Sequence, residues 1–326
     1  MTEIIDKLFL GGVEAALDIE SLEKFGITHI ITIDIRPLCQ ETTDKFTTKY
    51  IHAMDLEDTD LLTYIDECNS FIDDGLVKGG VLVHCFVGSS RSATIVIAYL
   101  MNKLNLTFQE ALDKVKTLRP LVKPNQGFLH QLHLYESMGN KIDVKSNCFR
   151  QYRLNKLSLS VQAGQQISDH KLYSQLDESN SLNSYKCRKC RQALFKSSAL
   201  LPHMEGKGKA AFDWRSRIED DENDIDFQNK DKTLCDRSLF IEPLKWMSSY
   251  VHNMEGKILC PKCSAKIGSF IWYGERCPCG TWVAPAFHIQ SSKVDLCKPI
   301  NIVRNRSPLQ KTETLKTDLG KVVVME

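Results

Sequence analysis

The chain has 326 residues, 42 basic and 41 acidic side chains, and a formal net charge of +1. That balance argues against binding nucleic acid or an anionic membrane through overall charge. A hydrophobic fraction of 42% with 25% charged residues is that of a soluble globular protein, and the length suits two domains.

The start, Met1 to Lys7, carries acidic residues and no long apolar run, so a secretory signal is not expected. The most apolar stretch, Ala93 to Met101, is too short to span a bilayer, so no membrane partner is expected. Residues 1–140 read as alternating strands and helices. Ile27–Ile35 is an apolar β-run, and Asp60–Ile72 places Leu61, Leu62, Ile65, Cys68, Phe71 and Ile72 at helical spacing. Val81–Val83 is a second β-run after Gly79-Gly80. Helices are expected over Ser92–Leu104, over Thr107–Leu118, where Arg119-Pro120 stops the pattern, and from Asn125 to Met138. This is the pattern of an α/β domain with its site at the strand carboxyl ends.

From Gln151 to Ser184 the composition shifts towards Ser, Gln and Asn, which reads as a linker with at most transient helix. Residues 185–298 hold paired cysteines, aromatic residues and short β-like runs at Ser269–Tyr273 and Gly280–Val283. Within them, Glu219–Asp226 has six carboxylates in eight positions, a solvated loop. The tail beyond Pro299 lacks an amphipathic pattern, and no internal repeat is visible. The expected division is a domain over 1–145, a linker over 146–184, a second domain over 185–298 and a tail over 299–326.

The segment Val81-Leu82-Val83-His84-Cys85-Phe86-Val87-Gly88-Ser89-Ser90-Arg91-Ser92 carries the chemistry. A β-run delivers a cysteine, five residues follow, and an arginine opens a helix. The backbone N–H groups of Phe86 to Arg91 can turn inward as an anion nest at the helix N-terminus. Gly88 permits the turn. Arg91 offers a planar fork for two phosphate oxygens. A Cys85 thiolate beneath such a phosphate is placed to attack phosphorus.

This His-Cys-x5-Arg-Ser segment resembles the signature of the cysteine-dependent protein tyrosine phosphatases, in their dual-specificity branch. The resemblance covers residues 1–140. It implies a central sheet flanked by helices and action on phosphotyrosine and phosphoserine/threonine proteins, with no cofactor for catalysis. It further implies Cys85 as nucleophile, Arg91 as phosphate clamp, Ser92 as the hydroxyl assisting thiolate departure, and His84 as the residue tuning the cysteine. The family's general acid is an aspartate about thirty residues upstream of the cysteine, which points to Asp55. Asp58 competes, while Asp60 fits better as a helix cap. Asn125 matches a family segment near the phosphate loop, with a structural role. His130 and His133 read as packing or surface residues.

Twelve cysteines, seven of them between 187 and 279, point to metal in a chain without a secretory signal. These seven are Cys187, Cys190, Cys235, Cys260, Cys263, Cys277 and Cys279. One histidine, from His203, His252 and His288, completes eight ligands for two closed tetrahedral sites, for which zinc is expected. The segments Tyr185–Arg191, Phe240–Pro243 and Cys260–Lys266 resemble the zinc-binding extension of a dual-specificity phosphatase subgroup implicated in large ribosomal subunit assembly. That resemblance favours His203 and implies contact with pre-ribosomal particles or RNA, in cytoplasm and nucleus. Arg188, Lys189 and Arg191 are candidates to meet RNA phosphates. Trp272, Tyr273 and Trp282 are expected in the core. The 187/190 and 260/263 pairs are expected to share one site, leaving His203, Cys235, Cys277 and Cys279 for the other.

Overall fold

The computed structural model describes residues 1–165, 172–173, 183–206 and 234–298. The acidic run 219–226 and the tail from 299 lie outside the described residues.

The first unit is a five-stranded sheet in the order β1-β2-β5-β3-β4. Its elements begin with β1 (Thr2–Ile5), β2 (Leu8–Gly11), the short helices α1 (Val13–Leu17) and α2 (Ile19–Lys24), β3 (Ile27–Asp34) and α3 (Gln40–Lys45). β4 (Thr47–His52), α4 (Ile65–Lys78), β5 (Gly80–His84), α5 (Arg91–Leu104), α6 (Phe108–Leu118) and α7 (Gln126–Ser137) follow. β2, β5, β3 and β4 are parallel, and β1 is an antiparallel edge. β3 and β5 are buried almost throughout, which explains why they read as continuous apolar runs without alternation. α5 is buried from Arg91 to Met101, the behaviour of a helix apolar all round. α6 carries the Thr107/Glu110 capping box, and Asn125 caps α7 by accepting from Phe128 N.

The helix expected from Asp60 begins differently. The Asp60 carboxylate accepts from Thr63 N and Oγ1, closing a single 3₁₀ turn at Leu62–Tyr64 before α4 proper starts at Ile65.

The linker expected from 146 is corrected by α8, which spans Asn147–Gln162. Ser146 caps it by accepting from Phe149 N. Phe149 and Tyr152 enter the first core, whereas Leu154 and Leu157 enter the second. A helix that divides its apolar residues between two cores shows no single stripe, so its polar composition hides it.

The second unit is β-rich. β6 (Ser184–Cys187), β7 (Ala193–Lys196), β8 (Leu239–Phe240), β9 (Glu255–Leu259) and β10 (Lys266–Ile271) come first. β11 (Glu275–Arg276), β12 (Trp282–Val283), β13 (Ala286–Ile289) and β14 (Val294–Cys297) follow. They form sheets ordered β14-β6-β7 and β8-β13-β10-β9, with a β11-β12 hairpin. Phe240, Phe270, Trp272 and Phe287 fill the core, and Trp272 Nε1 donates to Val251 O at 2.7 Å. Tyr273 and Trp282 depart from the core expectation, being 48% and 55% exposed. Tyr273 sits in the turn after β10, and Trp282 opens the two-residue strand β12 opposite Arg276. Among the described residues no helix is long and apolar enough to cross a membrane.

Candidate active site and metal centres

β5 runs through the middle of the sheet and delivers His84 and Cys85 to its carboxyl edge. The loop from Phe86 to Ser90 then turns all of its carbonyls towards the scaffold. Phe86 O accepts from Val13 N (3.0 Å) and Val87 O from Arg119 Nη2 (3.1 Å). Gly88 O accepts from Arg119 Nε (2.9 Å), Ser89 O from Lys123 N (2.8 Å) and Ser90 O from Thr94 N (2.9 Å). With the carbonyls committed outward, the intervening N–H groups are left to line the inner side as an anion nest. Gly88 has φ +78°, and a Cβ there would lie 2.3 Å from Gly11 O, so only glycine fits.

Cys85 is 1% exposed, and its Sγ accepts from Gly88 N at 3.2 Å and from Ser92 Oγ at 3.1 Å. Arg91 Nη1 donates to Asp34 Oδ1 (2.9 Å) and to Ala53 O (3.0 Å), which holds the guanidinium at the loop. Its buried Nε has no hydrogen-bond partner among the described residues, a donor left over for an anion. His84 is pushed down to about 4, chiefly by loss of hydration, with the Arg91 charge adding to it and the Cys85 carbonyl and Asp34 opposing. The ring is therefore neutral at ordinary pH. Nδ1 faces Cys85 O at 3.3 Å, and a carbonyl only accepts, so Nδ1 carries the proton and Nε2 accepts from Thr32 Oγ1 (2.8 Å). His84 thus ties the backbone at the cysteine to β3 through Thr32.

Asp55 stands at the rim, its side chain 38% exposed. Its Oδ1 accepts from Ser90 Oγ (2.7 Å) and from Asn125 Nδ2 (2.8 Å), and Oδ2 lies 3.8 Å from Arg91 Nε. Asn125, accepting from Phe128 N and donating to Asp55, thus ties the carboxylate to the N-terminus of α7 by hydrogen bonds. The Asp58 carboxylate is exposed, and Asp60 is engaged in its turn. His133 is exposed against Phe108, with ring centroids 4.3 Å apart. Sequence reasoning missed Thr32, Asp34 and Arg119. Asp34 ends a strand at the same sheet edge, which was a usable signal; Arg119 read only as a helix stop and carried none.

The second unit gathers all eight expected metal ligands into two groups. Cys187, Cys190, Cys260 and Cys263 place their Sγ atoms within 4.8 Å of one another, and so do the ligand atoms of His203, Cys235, Cys277 and Cys279. Cys187–Cys263, Cys190–Cys260 and Cys235–Cys277 lie 3.8, 3.6 and 3.8 Å apart. Cys279 Sγ is 3.4 Å from His203 Nε2. A tetrahedral ion with M–S of about 2.3 Å has S···S edges of about 3.8 Å, and an S···N edge near 3.5 Å, so both donor sets fit a four-coordinate metal. The first group joins two turns of the same build. Arg191 N donates to Cys187 O and Ser264 N to Cys260 O, with Arg191 and Ser264 at φ +62° and +54°. His288 instead pairs with Glu275 at 2.8 Å, and His252 joins neither group.

The family model described as "Dual specificity phosphatase, catalytic domain" matches residues 8–138. Dual specificity protein phosphatase 12 of Mus musculus is 38% identical over 315 residues, covering 94% of this chain and 91% of its own length. Tyrosine-protein phosphatase YVH1 of Saccharomyces cerevisiae is 33% identical over 333 residues, covering 90% and 91%. Among solved structures, the Yvh1 phosphatase domain from Chaetomium thermophilum aligns at 33% identity and a TM-score of 0.40, covering 44% of this chain and 97% of that one.

Proposed function

The chain belongs to the dual-specificity protein phosphatase family, and from that premise we propose how its residues divide the reaction and what the second unit contributes. The observation that carries the mechanism is the loop itself. Its carbonyls are turned away, a cysteine sulfur lies at its base, and an arginine beside it keeps a spare buried donor.

A phosphorylated protein side chain docks its three phosphoryl oxygens on the loop N–H groups and on Arg91. The Cys85 thiolate attacks phosphorus while the P–O bond to the side chain breaks, and Asp55 gives its proton to the departing oxygen. Water then attacks the phosphocysteine. Asp55, now a carboxylate, takes the proton from that water, and phosphate leaves as the S–P bond breaks. Ser92 Oγ, 3.1 Å from the sulfur, donates to the thiolate as it re-forms. The negative charge of the phosphoryl group stays on the nest and Arg91 throughout, so stabilisation is electrostatic and preorganised. Cys85→Ser tests this step: turnover should vanish while phosphate binding persists, and appreciable turnover would refute the nucleophile.

In the second unit we propose one structural Zn²⁺ in each group, held by Cys187, Cys190, Cys260 and Cys263, and by His203, Cys235, Cys277 and Cys279. The support is the mainly thiolate donor set and the tetrahedral edge lengths. A site closed by four protein ligands stiffens a scaffold and does no chemistry of its own. We further propose that this unit binds pre-ribosomal particles, with the protein working in cytoplasm and nucleus; the exposed Tyr273 and Trp282 rings support a contact surface of some kind here. Arg188 and Arg191 both pair with Asp295, which reduces the charge they bring to an RNA phosphate. Rescue of a null cell by Cys85→Ser would assign the cellular role to binding; failure of that rescue would assign it to catalysis.

A further inference from the structure

We infer that Tyr152 and Lys156, on the helix leading out of the phosphatase domain, are positioning residues for the loop that carries the general acid. The inference rests on the reading of Asp55 as that acid. Residues 53–61 connect β4 to the first helical turn without regular structure of their own. Near Asp55 the loop is held by Arg91, Ser90 and Asn125. Beyond Asp55 it is held at three further points. Gln131 of α7 donates to Thr59 O (2.7 Å) and accepts from Leu61 N and Leu62 N (2.9 and 2.8 Å). Lys156 Nζ donates to Asp58 O at 2.7 Å, and Tyr152 OH donates to Asp60 Oδ1 at 2.9 Å. Two of these three anchors lie on α8, past the residues that the family model matches.

α8 is itself fixed from its other side. At about 100° per residue, positions 152 and 156 share one face, and 150, 153, 154 and 157 cluster roughly opposite. On that opposite face Arg150 and Arg153 both donate to Glu242, which is fully buried, and Leu154 and Leu157 enter the second core. A buried carboxylate held by two guanidiniums tolerates little displacement, because moving either partner leaves a charge buried and unpaired. The second unit therefore fixes the helix, and the helix fixes the acid loop. The consequence is chemical. Proton donation requires the carboxyl within hydrogen-bond reach of the leaving oxygen, and misplacement by about 1 Å can cost about 10²-fold in rate.

The test uses the full chain with Tyr152→Phe, Lys156→Met, the double variant, Lys156→Arg and, as reference, Asp55→Asn. Two substrates are compared: phenyl phosphate, whose leaving oxygen needs a proton, and 2,4-dinitrophenyl phosphate, whose leaving group departs as the anion. The double variant should lose about 10-fold in kcat/KM on phenyl phosphate and less than about 2-fold on the dinitrophenyl ester, a partial copy of the Asp55→Asn pattern. Lys156→Arg, which keeps a donor, should recover most of the loss relative to Lys156→Met. Equal losses on both substrates, or none on either, would overturn the inference. Should the double variant fold poorly, the two single variants are read the same way. If Asp55→Asn itself shows no dependence on the leaving group, the acid assignment fails and takes the inference with it. If Asp55→Asn shows the dependence and the α8 variants do not, only the inference falls.

Discussion

Gly88→Ala separates the cost of an unfavourable backbone conformation from the cost of disturbing the phosphate loop, because Gly26 supplies an internal control. Both residues have positive φ, +78° at Gly88 and +65° at Gly26, so alanine pays about 1–2 kcal/mol of backbone strain at either position. They differ in surroundings. A Cβ at Gly26 meets nothing within 4 Å, whereas at Gly88 it falls 2.3 Å from Gly11 O and 2.5 Å from Gly11 C. Those atoms are backbone of β2, and no rotamer change relieves the overlap. Overpacking adds about 1–3 kcal/mol, giving a total of about 2–5 kcal/mol for Gly88→Ala against about 1–2 for Gly26→Ala. Removing the overlap needs a shift of about 1 Å in the loop that carries the phosphate-binding N–H groups, worth about 10²-fold in kcat/KM. The assay pairs urea denaturation with kcat/KM on an aryl phosphate and the inhibition constant of inorganic phosphate. Gly88→Ala should weaken turnover and phosphate inhibition together; Gly26→Ala should lose stability alone. Equal behaviour of the two variants would refute the reasoning.

Asp55→Asn should slow hydrolysis of phosphotyrosine by about 10²–10⁴, with a smaller loss for leaving groups that need no proton; steady-state kinetics on a graded aryl series checks this. If Asp58→Asn gives that pattern instead, the acid is misassigned. His84 makes stability depend on pH. Its folded-state value of about 4 lies below the ordinary 6.5, so the unfolded chain binds the proton first, and stability falls as pH drops from about 6.5 through 4. The full loss is about 3 kcal/mol, read as a lower urea midpoint at pH 5 than at pH 7, and His84→Gln should flatten it. Native mass spectrometry should find two metal ions per chain, since each structural site in small domains supplies roughly 10–16 kcal/mol of folding free energy. A strong chelator should then remove amide-exchange protection from β6, β10 and β14 while β3 and β5 keep theirs. A metal-free chain with those strands still protected would contradict the scaffold role.

Local pattern alone determined several features of this protein. A cysteine and an arginine six residues apart, with a glycine between them and an apolar helix after, specify an anion-binding turn because every group involved lies in one short segment. The two Cys-x2-Cys turns are equally local, since backbone hydrogen bonds within five or six residues shape each one. Strands buried on both faces and a helix buried all round leave continuous apolar runs, which is why β3, β5 and α5 were legible. The partners of these segments were not. Asp34 reaches Arg91 across 57 residues, Thr32 reaches His84 across 52, and Arg119 reaches the loop across 31. Only the place of Asp34 at a strand end gives a local sign, and Thr32 and Arg119 carry none, because their roles exist only once the sheet order brings β3 beside β5 and folds α6 back over the loop. α8 is the clearest case. Its 16 residues read as a polar connector, and only the packing of two cores against opposite faces makes it a helix that grips the acid loop on one side and Glu242 on the other. A single helical period records one burial partner, and where a segment has two, the tertiary structure decides.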